Sequence, residues 1–220
     1  MRTILLWMAR NRFLKTWLPR LWFAKRAVRR FMPGETMEDA LEASEQFRPL
    51  GIGILLTHLG ENLTSMDQAE AVADHYHDLL RKIMARGLDA EMSVKPTQLG
   101  LDLEADATLG HLRSLAAVAA EAKGYLWLDM EGSAYTERTL DLYRQLKADH
   151  PNVGICLQSY LRRTPDDIAA LTPLRPAIRL VKGAYDEPSA IALRKKADVD
   201  AAFEEQAKSM LPAAGKGELR

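Results

Sequence analysis

The chain has 220 residues, 47% hydrophobic and 27% charged, enough for one sizeable core and too polar overall for a membrane-embedded protein. Its formal net charge is zero, but nine of the 30 Lys/Arg lie within residues 1–34, a stretch without a single acid, so the rest of the chain is acidic. One cysteine, Cys156, excludes an internal disulfide, and its place in the apolar run VGICLQ suits a packed thiol in a reducing compartment better than a reactive one.

Residues 1–34 interleave Trp7, Phe13, Trp17, Trp22 and Phe23 with the cations. The pattern predicts a basic amphipathic helical arm that packs its apolar face on the body, or, in the second reading, lies on an anionic membrane surface. Arg10 and Arg12 interrupt the apolar run well short of the roughly 20 residues a bilayer requires, and no small-residue cleavage site follows.

Residues 35–220 repeat one unit. Apolar runs begin at 51 (GIGILL), 90 (AEMSVK), 125 (YLWLDM), 153 (VGICLQ) and 177 (AIRLVK), spaced 39, 35, 28 and 24 residues apart, each followed by a stretch of helical periodicity. That spacing fits strand, loop and helix in alternation, and hence a parallel α/β sheet. Helices are predicted from Ser65 to Met84 with Gly87 closing it, from Thr136 to Lys147 ahead of Pro151, from Asp166 to Leu171 after the Thr164-Pro165 start, and from Ala197 to about Met210. No glycine-rich phosphate loop follows any strand, which argues against a doubly wound nucleotide fold and for a (β/α)8 TIM-like barrel, incomplete here with about five strands.

Chemistry in such a barrel sits at the carboxyl ends of the strands. The second run ends at Lys95, the third at Asp129, the fourth at Gln158, and the fifth carries Arg179 and Lys182 before Gly183. Lys95 is held extended by Pro96, to bind a carboxylate or to bridge to Asp129. Alternation puts Arg179 and Val181 on one face of their strand and Leu180 and Lys182 on the other, with Gly183 free to turn Lys182 toward the rim. His75 and His77, two apart, cannot form an i, i+4 metal pair and read as helix-surface residues. No metal site, no Ser-His-Asp arrangement and no nucleic-acid surface is expected.

MSVKPTQLGL, LDMEGSAYT, GICLQSYLRRT and IRLVKGAYDEP, in that order, closely resemble the strand-end motifs of the FAD-dependent proline dehydrogenase family, and the resemblance runs from about Phe31 to Ala202. It implies FAD at the carboxyl rim and oxidation of L-proline to 1-pyrroline-5-carboxylate by hydride transfer to flavin, the first step of proline catabolism. It also implies that Asp129 and Arg179 form the catalytic pair, that Lys95 and Tyr185 face the substrate, and that Met130, Gln158, Lys182, Gly183 and Ala184 line the flavin. Electrons would pass to a quinone or another membrane acceptor, from a cytoplasmic protein that touches the inner face of the membrane peripherally. In the family three further strands and a last helix follow, bringing a Thr-His pair to the flavin and two arginines to the substrate carboxylate. The 220-residue chain by itself is therefore expected to hold little flavin and to show no measurable turnover. The alternatives are a non-catalytic truncated barrel or membrane-associated module, and a Schiff-base aldolase using Lys182 or Lys95.

Overall fold

A computed structural model describes residues 32, 34–60 and 63–220; the expected helical arm lies almost entirely outside them. The chain divides into two compact units, Met1–Ile52 and Gly53–Arg220.

In the first unit, helix α1 (Met37–Glu45) starts at a capping box. The Thr36 hydroxyl accepts from Asp39 N at 3.1 Å, while the Asp39 carboxylate accepts from Thr36 N at 3.0 Å and Glu35 N at 3.1 Å, so donors that a helix start leaves open are satisfied reciprocally. These bonds hold the Asp39 carboxyl below its ordinary range.

Among the described residues the second unit is built on five parallel strands: β1 (Ile54–Thr57), β2 (Ala90–Val94), β3 (Leu126–Leu128), β4 (Val153–Gln158) and β5 (Ala177–Val181). They lie in the order β1-β2-β3-β4-β5, so every sheet neighbour is also the next strand in sequence. Each of the five apolar runs supplies one strand. The crossovers carry α2 (Met66–Arg86), α3 (Ala105–Glu121), α4 (Thr136–Asp149) and α5 (Thr164–Leu171), and α6 (Lys196–Gly215) follows β5. Gly87 ends α2 at φ 58°, the left-handed geometry its position demanded. The helix expected from Asp166 starts at Thr164, because Pro165 is accommodated in its first turn.

Two faces follow from the register. Met92 pairs with Leu126, which pairs with Val153, and Val94 with Leu128, which pairs with Ile155; all six are 0% exposed. They share the face covered by the helices, whose inward residues recur at helical spacing: Ala69, Ala73, Tyr76, Leu80 and Ile83 on α2, and Leu112, Leu115 and Ala119 on α3. The opposite face carries Glu91, Ser93, Trp127, Asp129, Cys156 and Arg179. A flat sheet would keep β2 and β5 about 14 Å apart. Yet Arg179 on β5 bonds Ser93 on β2, and Arg220 bonds Glu91 on β2 at 3.3 Å, so the sheet curls with this face concave. A cavity of about 390 Å³ lies inside the curl, between Leu55, Glu91, Trp127, Ile178 and Arg220. The result is a half-closed (β/α) barrel.

Candidate functional site

The residues that the sequence placed at strand ends converge because of register. Val94 pairs with Leu128 and Leu128 with Ile155, so one residue further on Lys95 is level with Asp129 and Asp129 with Cys156, which itself pairs with Arg179. Four consecutive strands thus offer one layer of side chains at the carboxyl end of the concave face.

Asp129 and Arg179 form the centre of that layer. The Arg179 guanidinium donates through Nη2 to Asp129 Oδ1 and, at 3.4 Å, to the Ser93 hydroxyl, and Ser93 in turn donates to the same carboxylate oxygen. The Asp129 side chain is 18% exposed and that of Arg179 35%, so the pair is partly desolvated and open on one side. The cation bonded to Asp129 is Arg179. Arg179 Nε is buried with no hydrogen-bond partner among the described residues.

Gln158 at the end of β4 shows the same incompleteness. Its amide nitrogen donates to Met130 O and Glu131 O, each at 2.9 Å, and its main-chain oxygen accepts from the Thr164 hydroxyl at 2.6 Å. The side chain is thereby locked, and its Oε1 is buried without a partner. Met130 is 6% exposed beside it.

Lys95 is half-buried and leads into the turn Pro96–Leu99. Tyr185, on the loop after β5, lines a cleft of about 380 Å³ with Thr97, Asp102, Glu131 and Tyr135. Gly183 sits at φ 104°, and a β-carbon there would lie 2.1 Å from the Tyr160 ring, so only glycine fits on both counts. Ala184 is exposed. Lys182 points away from Arg179, as strand alternation requires, and its ammonium is bonded to Asp200 on α6, 5.7 Å from the centre of the Phe203 ring.

Cys156 lies in the central layer but is 4% exposed, and burial raises its thiol pKa even though Arg179 acts in the opposite direction. It is a packed thiol. The two helix histidines do not make a metal site: His77 bonds Ser114 at 3.1 Å, the His75 ring lies 4.6 Å from that of His58, and no group of three or more metal-ligating side chains occurs among the described residues.

Two members of the site were not singled out from sequence. Ser93, 1% exposed, bridges the ion pair, and Glu131, 5% exposed, accepts from Thr97 N at 3.2 Å and the Thr97 hydroxyl at 2.5 Å. Period-2 counting from residues already chosen reaches both: Ser93 is two before Lys95, and Glu131 two after Asp129.

Fold and site together define a (β/α)-barrel protein with a cluster of polar and charged side chains at the carboxyl rim of its strands, where such barrels carry their chemistry. The chain belongs to the proline dehydrogenase family: the family's model, described as proline dehydrogenase, matches residues 40–218. It is 34% identical over 211 residues to proline dehydrogenase 1 of Bacillus subtilis subsp. natto, covering 96% of this chain and 70% of that one. To the proline dehydrogenase of Deinococcus radiodurans it is 38% identical over 176 residues, 78% of this chain and 57% of the relative. Among solved structures, proline utilization A (PutA) from Bdellovibrio bacteriovorus inactivated by N-propargylglycine superposes with a TM-score of 0.75 at 23% identity, a likeness of fold over 86% of this chain. This chain spans 24% of the length of that much larger protein.

Proposed function

We propose that this chain carries the strand-end site of a FAD-dependent oxidation of L-proline to 1-pyrroline-5-carboxylate. The observation that carries the reading is the inward Ser93-Asp129-Arg179 cluster together with two buried polar atoms lacking partners, Gln158 Oε1 and Arg179 Nε. Buried polar atoms are rarely left unpaired, so these two favour a ligand that presents a donor to one and an acceptor to the other. A flavin ring has both along its edge, and the residues fit the group.

Flavin, when bound, supplies the two-electron acceptor, by hydride transfer, for oxidation at the proline C–N bond. The chain's own residues do the positioning. Asp129 and Ser93 fix the Arg179 guanidinium, so that a positive charge stands in place before reaction and costs no reorganisation during it. Lys95 takes the substrate carboxylate and Tyr185 forms a wall of the same cleft. Met130, Gln158, Gly183 and Ala184 line the cofactor, and the main-chain amides after Lys182 meet its anionic part, the Lys182 ammonium being held by Asp200 on α6. Electrons leave to a quinone or another membrane acceptor, with residues 1–34 as the proposed peripheral contact. Among the described residues no helix is long and apolar enough to cross a membrane.

The test is to purify the chain in the presence of FAD, record its visible absorbance and assay dye reduction with L-proline. Bound flavin and proline-dependent reduction support the reading. Weak flavin uptake without turnover is the outcome expected of these 220 residues alone; a chain that takes up no FAD even at saturating cofactor overturns the reading in favour of a non-catalytic barrel, and a borohydride-trapped lysine adduct without flavin overturns it in favour of the aldolase.

A further inference from the structure

The loop between β5 and α6 is held at two places by different means. Its far half is bonded to the loop after β4 through main chain: Arg162 N donates to Ile191 O at 2.9 Å and Leu193 N to Tyr160 O at 2.8 Å. Its near half, which carries Tyr185, crosses the rim to the loop after β3. There Glu187 accepts with both carboxylate oxygens, from Ser133 N at 2.7 Å and from the Ser133 hydroxyl at 2.6 Å. Ser133 opens the tight turn Ser133–Tyr135 that leads into α4. Behind the contact, Arg194 donates to Glu187 O at 2.7 Å and to Asp186 Oδ1 at 3.3 Å.

The surroundings show that this contact sets more than its own loop. A β-carbon on Gly132 would lie 3.5 Å from Glu187 Oε1 and 3.9 Å from Tyr185 Cδ1, so both side chains rest on the same stretch of main chain three residues from Asp129. Tyr160, from the loop after β4, packs where a side chain at Gly183 would go, and the Glu187 charge adds to the burial that raises its phenol pKa. The loops after β3 and β5 therefore meet at one carboxylate, and the loop after β4 packs beside them through Tyr160. A two-oxygen, charge-assisted grip is directional and stronger than a neutral bond, which suits a contact that fixes a loop in one place.

We propose that Glu187 is a positioning residue: its grip on Ser133 straps the loop after β5 across the rim and sets Tyr185 against the site that holds Asp129 and Arg179. This deepens the proline reading and rests on it.

Two measurements on the full chain test it, with Glu187→Ala and Glu187→Gln. The first is amide hydrogen exchange without substrate. In Glu187→Ala, exchange at Ser133 should accelerate about tenfold to a hundredfold, the factor expected for losing a hydrogen bond to a charged group, while amides of β4 keep their rates. Glu187→Gln keeps an acceptor for Ser133 N and can donate back to the hydroxyl, so it should recover most of the protection. Unchanged exchange at Ser133 in Glu187→Ala overturns the strap, as does acceleration spread equally over β4 and α4, which would mean loss of global stability instead.

The second is L-proline affinity by calorimetry with FAD present. Affinity should fall about tenfold in Glu187→Ala and return in Glu187→Gln, since about 1.4 kcal/mol of lost preorganisation corresponds to that factor. Accelerated exchange with unchanged affinity overturns the positioning role. A parent chain that binds no proline refutes the proline reading and the positioning role with it, and is recognised because Ser133 protection in the parent is then intact.

Discussion

Gly154, the second residue of β4, lies level with Trp127 on β3, and a methyl group on it would sit 2.4 Å from Trp127 Cε3 and 2.5 Å from Cζ3. Carbon contacts are comfortable from about 3.5 Å, so in Gly154→Ala the indole must retreat by roughly 1 Å. Its own bond resists this, because Nε1–H donates to the Glu91 carboxylate at 2.6 Å, with the Tyr125 ring, just before the strand, 5.9 Å away. Overpacking costs about 1–3 kcal/mol, and weakening a hydrogen bond to a charged acceptor up to about 1.5–3 kcal/mol more. The lower chain entropy of alanine in the unfolded state offsets about 0.4–1 kcal/mol. Glu91 is 22% exposed and can follow the ring part of the way, so the net loss is about 2–4 kcal/mol. In urea unfolding followed by far-ultraviolet circular dichroism, the midpoint should fall by about 1 M at an unchanged slope. The double variant with Trp127→Leu should lose at least about 1 kcal/mol less than the sum of the two single losses, since the smaller side chain removes the clash. A Gly154→Ala midpoint equal to or above the parent's would refute the reasoning and show that the sheet yields at this point without strain.

Three further outcomes are expected. Buried Cys156 should react with an aromatic disulfide reagent at no more than roughly a hundredth of its rate in denaturant, because burial raises its pKa and disfavours the thiolate; fast reaction of the native chain would contradict the packed-thiol assignment. Tyr76, Tyr143 and Tyr160 have phenols raised by burial from the ordinary 10.0, so the unfolded chain deprotonates first; stability should hold up to about pH 9 and fall as pH rises further, more gently in Tyr143→Phe, and a midpoint independent of pH up to about 11 would refute this. Asp129→Asn should leave Arg179 without its carboxylate partner and weaken flavin retention by about tenfold or more, read by equilibrium dialysis against FAD, while unfolding stability changes by no more than about 1–2 kcal/mol because the pair is partly exposed; retention equal to the parent's would remove Asp129 from the site.

The strands, 3 to 6 residues long, were legible because short apolar runs recur between helical stretches, and Gly87 and Pro165 punctuate the helices where backbone geometry requires. Strand alternation put Arg179 and Lys182 on opposite faces, as found; the turn of Lys182 toward the rim that Gly183 was expected to allow does not occur, because Asp200 on α6 takes its ammonium. Partners were harder. That Arg179 takes Asp129 depends on the stagger of three strands and on the curl of the sheet, and neither is written in any one segment. Ser93 reads as an ordinary polar residue between Met92 and Val94 until the curl brings Arg179 over it. Glu187 was hidden for a related reason: it lies in a loop without periodicity, and its partner Ser133 is 54 residues away in sequence.

The strand order has a consequence for how the chain comes to be folded. Because β1 through β5 are laid down in sequence order, no later strand has to insert between two earlier ones. Each new unit finds its docking edge already built by the unit before it, and loop closure for each pairing spans one crossover rather than the whole chain. During synthesis, β2 can register on β1 through Ile54–Ala90 and its neighbours before β3 has left the ribosome, and so on in turn. Each step before the last leaves a fresh parallel edge exposed, so the interval between successive strands is when the nascent chain most needs protection from other chains with the same unpaired edge.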